Sequence, residues 1–283
     1  MQIPFTKAHG ARNDFLLTWS DQLPMQVGDP AALARAICDR HTGPGADGWI
    51  LVADANKHAP AAIELWNSDG SRSEISGNGT RCAAALLVQS GKAWSGKADD
   101  DVRIATGAGV KSLRLLDRHG FRYSFEMNMG PAVVEDLHAT LVPGHECVIL
   151  NVGNPQCAVF AGKFDFDSRT FDWSAFDWKK LGAELERNPR FPHRTNVSFI
   201  RVIDDHTLDV RFFERGAGET MSSGTGSTGA AAAALARGWV RSPIHVDTPA
   251  GTLELRVEND DIYLAGPAEI VAEGQFYYER GLD

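Results

Sequence analysis

The sequence has no apolar run approaching the roughly 20 residues that a helix needs to span a bilayer, which argues against a helical membrane protein. It has no basic excess. Lys and Arg number 28 against 37 Asp and Glu, a formal charge of -9, so neither nucleic acid nor an anionic membrane surface is an expected partner. Cysteine is scarce and scattered: Cys38, Cys82, Cys147 and Cys157 lack metal-ligand spacing and read as buried small hydrophobes. The nine histidines offer no H-x-x-x-H pair on a convincing helix, so no bound metal is expected. The segment Met1-Gln2-Ile3-Pro4-Phe5-Thr6-Lys7 lacks the apolar core of a signal peptide, and the cytosol is the expected compartment. What remains is ordinary globular composition. With 283 residues, 43% apolar and 23% charged, the chain can bury a sizeable core in one large domain or two of ordinary size.

Two segments are near copies of each other. Ser76-Gly77-Asn78-Gly79 runs into Thr80-Arg81-Cys82-Ala83-Ala84-Ala85, and Ser223-Gly224-Thr225-Gly226 runs into Ser227-Thr228-Gly229-Ala230-Ala231-Ala232. Each is a polar, glycine-rich turn feeding an alanine-rich helix, the build of an anion site at a helix N-terminus. The helices are expected over about residues 79–89 and 226–237, apolar almost all round and hence buried. Further helical patterns cover 30–40 and 173–187.

Elsewhere short apolar or alternating runs bounded by Gly, Pro, Asn and Asp read as strands. They cover 14–19, 48–52, 62–66, 102–105, 110–116 and 121–127, then 147–152, 157–160, 196–202, 208–213, 244–247, 252–257 and 261–264. Strands flank each alanine-rich helix at matching positions. The expected fold is therefore α+β, with two similar halves that each wrap curved sheet around a central helix. The seam is expected near Asn128-Met129-Gly130-Pro131, and the ligand in the cleft between halves, where both turns would converge.

Other readings of the glycines fail. Ser223 to Gly229 contains G-x-G-x-x-G, but a polar stretch from Glu214 to Ser222 separates it from the preceding strand, and no repeated βαβ pattern surrounds it. No Lys follows the glycines, so a P-loop is excluded. G-x-S-x-G is absent around Ser76, Ser222 and Ser223, and the histidines His145 and His193 are remote in sequence. Polar clusters instead precede each turn: Asn67-Ser68-Asp69-Gly70-Ser71, and Glu214-Arg215-Gly216-Ala217-Gly218-Glu219-Thr220. Arg captures a carboxylate in bidentate fashion and Glu accepts from an ammonium, so this composition suits the charged groups of an amino acid.

These motifs, together with His9-Gly10-Ala11-Arg12-Asn13-Asp14-Phe15, Asp39 to Gly48, Gly153-Asn154-Pro155 and Thr195-Asn196-Val197, resemble in order the successive motifs of diaminopimelate epimerases. The resemblance implies two pseudo-symmetric halves, each a β-barrel around a central helix, with the active site in the cleft. Residues 1–128, completed by a C-terminal strand at 266–283, would form one half and 129–265 the other. It also implies a cofactor-independent isomerase of lysine and cell-wall precursor metabolism, acting on a small diaminopimelate-like amino acid, and a homodimer. In such a protein the reacting carboxylate rests on Gly77-Asn78 and Gly224-Thr225. The distant amino acid end is held by Asn67, Asn196, Glu214 and Arg215, and Asn13 and Asn154 also match site positions.

The catalytic positions depart from the family. Its members carry a cysteine at the head of each glycine turn, one removing the α-proton and the other returning one from the far side. Here both are serine, Ser76 and Ser223, and the family's Asn-Pro-His reads Asn154-Pro155-Gln156. A hydroxyl is a far weaker acid than a thiol, and Gln cannot titrate near neutral pH. Ser222, Gln156 and the run Ser227-Thr228-Gly229 argue for natural divergence rather than an engineered pair of substitutions. The expected catalytic set is Ser76, Ser223, Glu214 and Gln156, with Glu214 the nearest remaining carboxylate. The alternatives are a diverged member that binds such an amino acid without epimerising it, or one that performs another proton shift or elimination.

Overall fold

The computed structural model describes residues 1–54, 60–92, 101–161 and 172–279. The chain divides into two compact units, Met1–Met127 with Gly266–Asp283, and Asn128–Ala265; of the expected closing strand, 280–283 lie outside the described residues.

Unit 1 contains β1 (Gln2–Gly10), β2 (Asn13–Trp19), α1 (Pro30–Cys38), β3 (Gly48–Ala53), β4 (Ala61–Asn67), β5 (Arg72–Ser73), α2 (Gly77–Ser90), β6 (Val102–Thr106), β7 (Gly109–His119) and most of β8 (Arg122–Pro131). Unit 2 contains β9 (Val133–Val142), β10 (His145–Asn151), β11 (Pro155–Phe160), α3 (Trp178–Glu186), β12 (Asn196–Asp204), β13 (Thr207–Glu214), β14 (Gly218–Thr220), α4 (Gly224–Ala236), β15 (Ile244–Thr248) and β16 (Gly251–Glu258). The last strand, β17 (Asp261–Tyr277), starts in unit 2 and finishes in unit 1.

In unit 1 the strands β1, β2, β3, β4, β6, β7, β8 and β17 pair in that order, and β17 returns to β1, closing a barrel. α2 runs inside it against β1, β2, β3, β4 and β6. In unit 2 β9 to β13 pair in succession, β13 pairs with β15, and β15, β16 and β17 follow, curving round α4. Every residue from Gly224 to Ala234 is buried, as is every residue from Gly77 to Val88. A helix without a polar face is stable only when enclosed, and small side chains let strands approach it on all sides. The expected α+β fold of two helix-filled halves is what forms.

The boundaries correct several expectations. α2 and α4 begin two residues earlier than expected, because Ser76 and Ser223 act as N-caps whose hydroxyls accept from Gly79 N and Gly226 N. The cap outweighs the poor helix propensity of glycine, so the glycine turns are the first turns of the helices. α1 ends at Cys38, since Asp39 is extended and its carboxylate accepts from the N–H groups of His41 and Thr42. The pattern over 173–187 splits into a 3-10 turn at Trp173–Ala175 and α3, capped by Asp177. β1 and β9 were not read from the sequence, and the strands expected at 261–264 and 266–283 form one strand, β17, that ends at Tyr277.

One ion cluster ties β2 to the end of α1. Arg40 grips Asp14 with both terminal nitrogens (2.7 and 3.2 Å) and reaches Asp47 at 2.7 Å, while Lys7 lies 3.1 Å from Asp14. Burial pushes the Asp14 carboxyl up, but hydrogen bonds from Arg40 and Lys7 together outweigh it and hold the group below its ordinary 3.8. The stabilisation is therefore complete above that value and is lost as pH falls through the lower folded value. Arg40→Gln is expected to lower the melting temperature at pH 7. That deficit should shrink toward zero in acid melts below Asp14's folded pKa; a deficit that persists unchanged there would contradict the assignment.

Candidate active site

In unit 2 the β13–β14 hairpin places Glu214 beside the cap of α4. Glu214 pairs across to Gly218, with Gly216 and Gly218 in the left-handed region that the tight connection requires (φ 79 and 74°). Ser223 Oγ donates to Glu214 Oε1 at 2.6 Å while accepting from Gly226 N at 3.0 Å. The second carboxylate oxygen accepts from Thr220 Oγ1 at 2.8 Å. Ser223 is 3% exposed, while Glu214 is half-buried, so the hydroxyl is shielded and the carboxylate keeps some access to water. Gly226 is obligatory, because a Cβ there would meet Phe212 Cδ1 at 2.7 Å and Ser223 Oγ at 2.9 Å.

A second chain of side chains lies beside the same turn. Gln156 Nε2 donates to Asn154 Oδ1 (2.6 Å), and Asn154 Nδ2 donates to Thr225 Oγ1 (3.3 Å). Gln156 is packed against α4 at Gly229, where an added Cβ would lie 3.0 Å from its Cγ. Gln156 thus reaches the turn through Asn154. Asn196, opposite Gln156 in the parallel register, accepts from Arg215 N at 2.9 Å and so fixes the residue after Glu214. The structure therefore brings Ser223, Glu214 and Thr220 together as one group, Gln156, Asn154 and Thr225 as another, and Asn196 with Arg215 as a third.

In unit 1 Ser76 heads α2 with its Oγ accepting from Gly79 N at 3.1 Å. Among the described residues no carboxylate accepts its proton, which separates it from Ser223. Asn78 Nδ2 donates to Asn13 Oδ1 (3.2 Å), and Asn13 Nδ2 to Asp47 Oδ2 (2.8 Å). Asn67 is the last residue of β4, bonded through Nδ2 across the following turn to Ser71 Oγ (2.9 Å). The next residue, Ser68, donates its N–H to Asp47 O (3.1 Å). Asp47, to which sequence reading gave no role, is thus the post on which Asn13 and the Asn67 turn are both hung. Thr220 and Arg81 were likewise missed, since their contacts depend on a hairpin and a burial that residue type does not reveal.

Neither cap position carries a thiol, and all four cysteines are buried elsewhere. Burial pushes Cys82, inside α2, up to about 12, and does the same to Cys38. A hydrogen bond from Cys157 pulls the Cys147 thiol down, but both lie in the core under α3 with Trp178, Leu181 and Leu185. Among the described residues neither His145 nor His193 hydrogen-bonds to Ser76 or Ser223; His145 packs on Phe176 and His193 contributes its carbonyl to Arg215.

The fold is one shared with solved epimerase and racemase structures. A hydroxyproline epimerase from Agrobacterium vitis matches 97% of this chain and 90% of its own at a TM-score of 0.70 and 18% identity. A probable proline racemase from Agrobacterium radiobacter K84 matches 99% and 93% at 0.72 and 16%. Within that class, residues 5–135 and 148–271 match the sequence profile of diaminopimelate epimerase, and the chain belongs to that family of isomerases. A relative named diaminopimelate epimerase from Pelotomaculum thermopropionicum is 34% identical over 290 residues, covering 97% of this chain and 99% of the relative. No helix among the described residues is long and apolar enough to cross a membrane.

Proposed function

We propose that this chain is a cofactor-independent amino acid isomerase of the diaminopimelate type in which a carboxylate has taken over the work of the family's thiol base. The observation that carries this reading is the 2.6 Å hydrogen bond from Ser223 Oγ to Glu214 Oε1 at the head of α4. Ser223 Oγ takes the α-proton of the substrate while its own proton passes to Glu214. The C–H electron pair moves into the substrate carboxylate, whose oxygens gain the charge. N–H groups at a helix start are suited to such oxygens. Inversion also requires a group that returns a proton to the carbon. Ser76, whose proton is not committed to a carboxylate, takes the role of donor. Asn13, Asn67, Gly77, Asn78, Asn154, Asn196, Arg215, Gly224 and Thr225 hold the ligand, and Gln156 orients Asn154. Because the resting base is a carboxylate behind a hydroxyl, turnover is expected to be slow.

The test is incubation of the protein with LL- or meso-diaminopimelate in deuterated water, read by mass spectrometry. α-Deuterium is expected to accumulate slowly, above a heat-denatured control. No incorporation after long incubation would sink the reading. In that case, tight binding by calorimetry without exchange at any pH supports the binding-protein alternative, and new ultraviolet absorbance across a set of related acids supports a proton shift.

A further inference from the structure

α2 carries a buried cation in contact with its first turn. Arg81 is 0% exposed. Its Nε donates to Pro267 O at 3.2 Å and its Nη2 to Asn78 Oδ1, while Nη1, equally buried, has no partner. Among the described residues no carboxylate pairs with it. Burial draws the guanidinium down to about 10, which leaves it charged at neutral pH. The matching position of α4 is Thr228, whose hydroxyl bonds back to Gly224 O at 2.9 Å within its own helix. One glycine turn is therefore backed by a full positive charge and the other is not.

A guanidinium buried without a counter-charge destabilises a fold, and apolar replacements of similar volume are often neutral or stabilising. Its burial is offset if the balancing negative charge arrives with the ligand. We infer that Arg81 is the fixed counter-charge for an anionic group held at the first turn of α2, acting through Asn78 as a positioning residue. The identity of that group as the substrate's reacting carboxylate rests on the function proposed above. Asn78 is the link: its Oδ1 accepts from Arg81, and its Nδ2 bonds Asn13. In a water-poor interior the charge acts more strongly as negative charge builds on the carboxylate oxygens, so it favours proton loss beyond favouring binding.

The experiment compares wild type, Arg81→Met and Arg81→Lys as full chains, by thermal melts and by calorimetry with acetate and with meso-diaminopimelate. Arg81→Met is expected to melt at or above wild type without ligand, yet to bind both ligands at least about tenfold more weakly. Arg81→Lys, which keeps the charge, is expected to retain most of the affinity. If Arg81→Met does not fold, Arg81→Gln carries the same comparison. An uncharged variant that melts lower but binds as wild type does would overturn the inference and mark Arg81 as a packing residue. A wild type that binds acetate but not diaminopimelate would sink the proposed substrate. The counter-charge role would then still stand if the uncharged variant lost acetate.

Discussion

Returning cysteine to both cap positions, Ser76→Cys with Ser223→Cys, is expected to raise α-deuterium exchange of diaminopimelate at least about a thousandfold, on the order of 4 kcal/mol of barrier. A thiol has a reference pKa near 8.5 and is lowered further at a helix N-terminus, so an appreciable thiolate fraction exists at neutral pH. A serine hydroxyl offers none. Both positions lead buried helices whose first N–H groups point toward them, and at Ser223 the Glu214 carboxylate waits to receive the proton. The single variants should fall short of the pair by more than the product of their effects, because inversion uses the two groups as a unit. Ser223→Cys alone is expected to speed exchange without matching inversion. If the double variant exchanges within threefold of the parent, the defect lies in recognition rather than in the bases. That outcome would favour the non-catalytic reading.

The second large effect is expected at Glu214. Glu214→Gln keeps the size of the side chain, can still accept from Ser223, and can donate to the Thr220 oxygen, so the β13–β14 hairpin should hold and the melting temperature stay close to the parent's. What disappears is the only carboxylate, among the described residues, that takes a hydrogen bond from a cap serine. Loss of a positioned general base removes roughly 10²–10⁴ in rate. The slow exchange of the parent should therefore fall at least about a hundredfold. Unchanged exchange in Glu214→Gln would show that protons leave by another route. Combining Glu214→Gln with the two cysteines separates the roles: if a thiolate does the work in that background, most of the regained rate should survive.

Much of this was legible in the sequence, for physical reasons that differ by region. The repeated serine, glycines and alanines at 76–85 and 223–232 announce buried helices with polar entries, because no other environment tolerates so many small apolar residues in a row. Where the helices start was misjudged because glycine is the poorest ordinary helix former, and only the serine cap makes the early start worthwhile. β9 escaped notice because most of Val133–Val142 faces solvent, which erases the alternation that betrays a half-buried strand. Arg81 reads in sequence as a polar interruption of an apolar helix, the place where a surface residue is expected; its complete burial is set by β1, β2 and β17 strands from distant parts of the chain. The Glu214–Ser223 pair spans nine residues, yet it forms only because a hairpin folds back between them.

The serine caps bear on how such a site drifts over time. A hydroxyl is a strong acceptor for the N–H of the third helical residue, whereas a thiol is a weak one. Exchange of a capping serine for a poor cap costs about 1 kcal/mol of helix stability. In this architecture a change from cysteine to serine loses chemistry while firming up the barrel's central rod, and the reverse change regains chemistry while loosening it. Serine at the two positions therefore carries a stability advantage that cysteine there would forfeit.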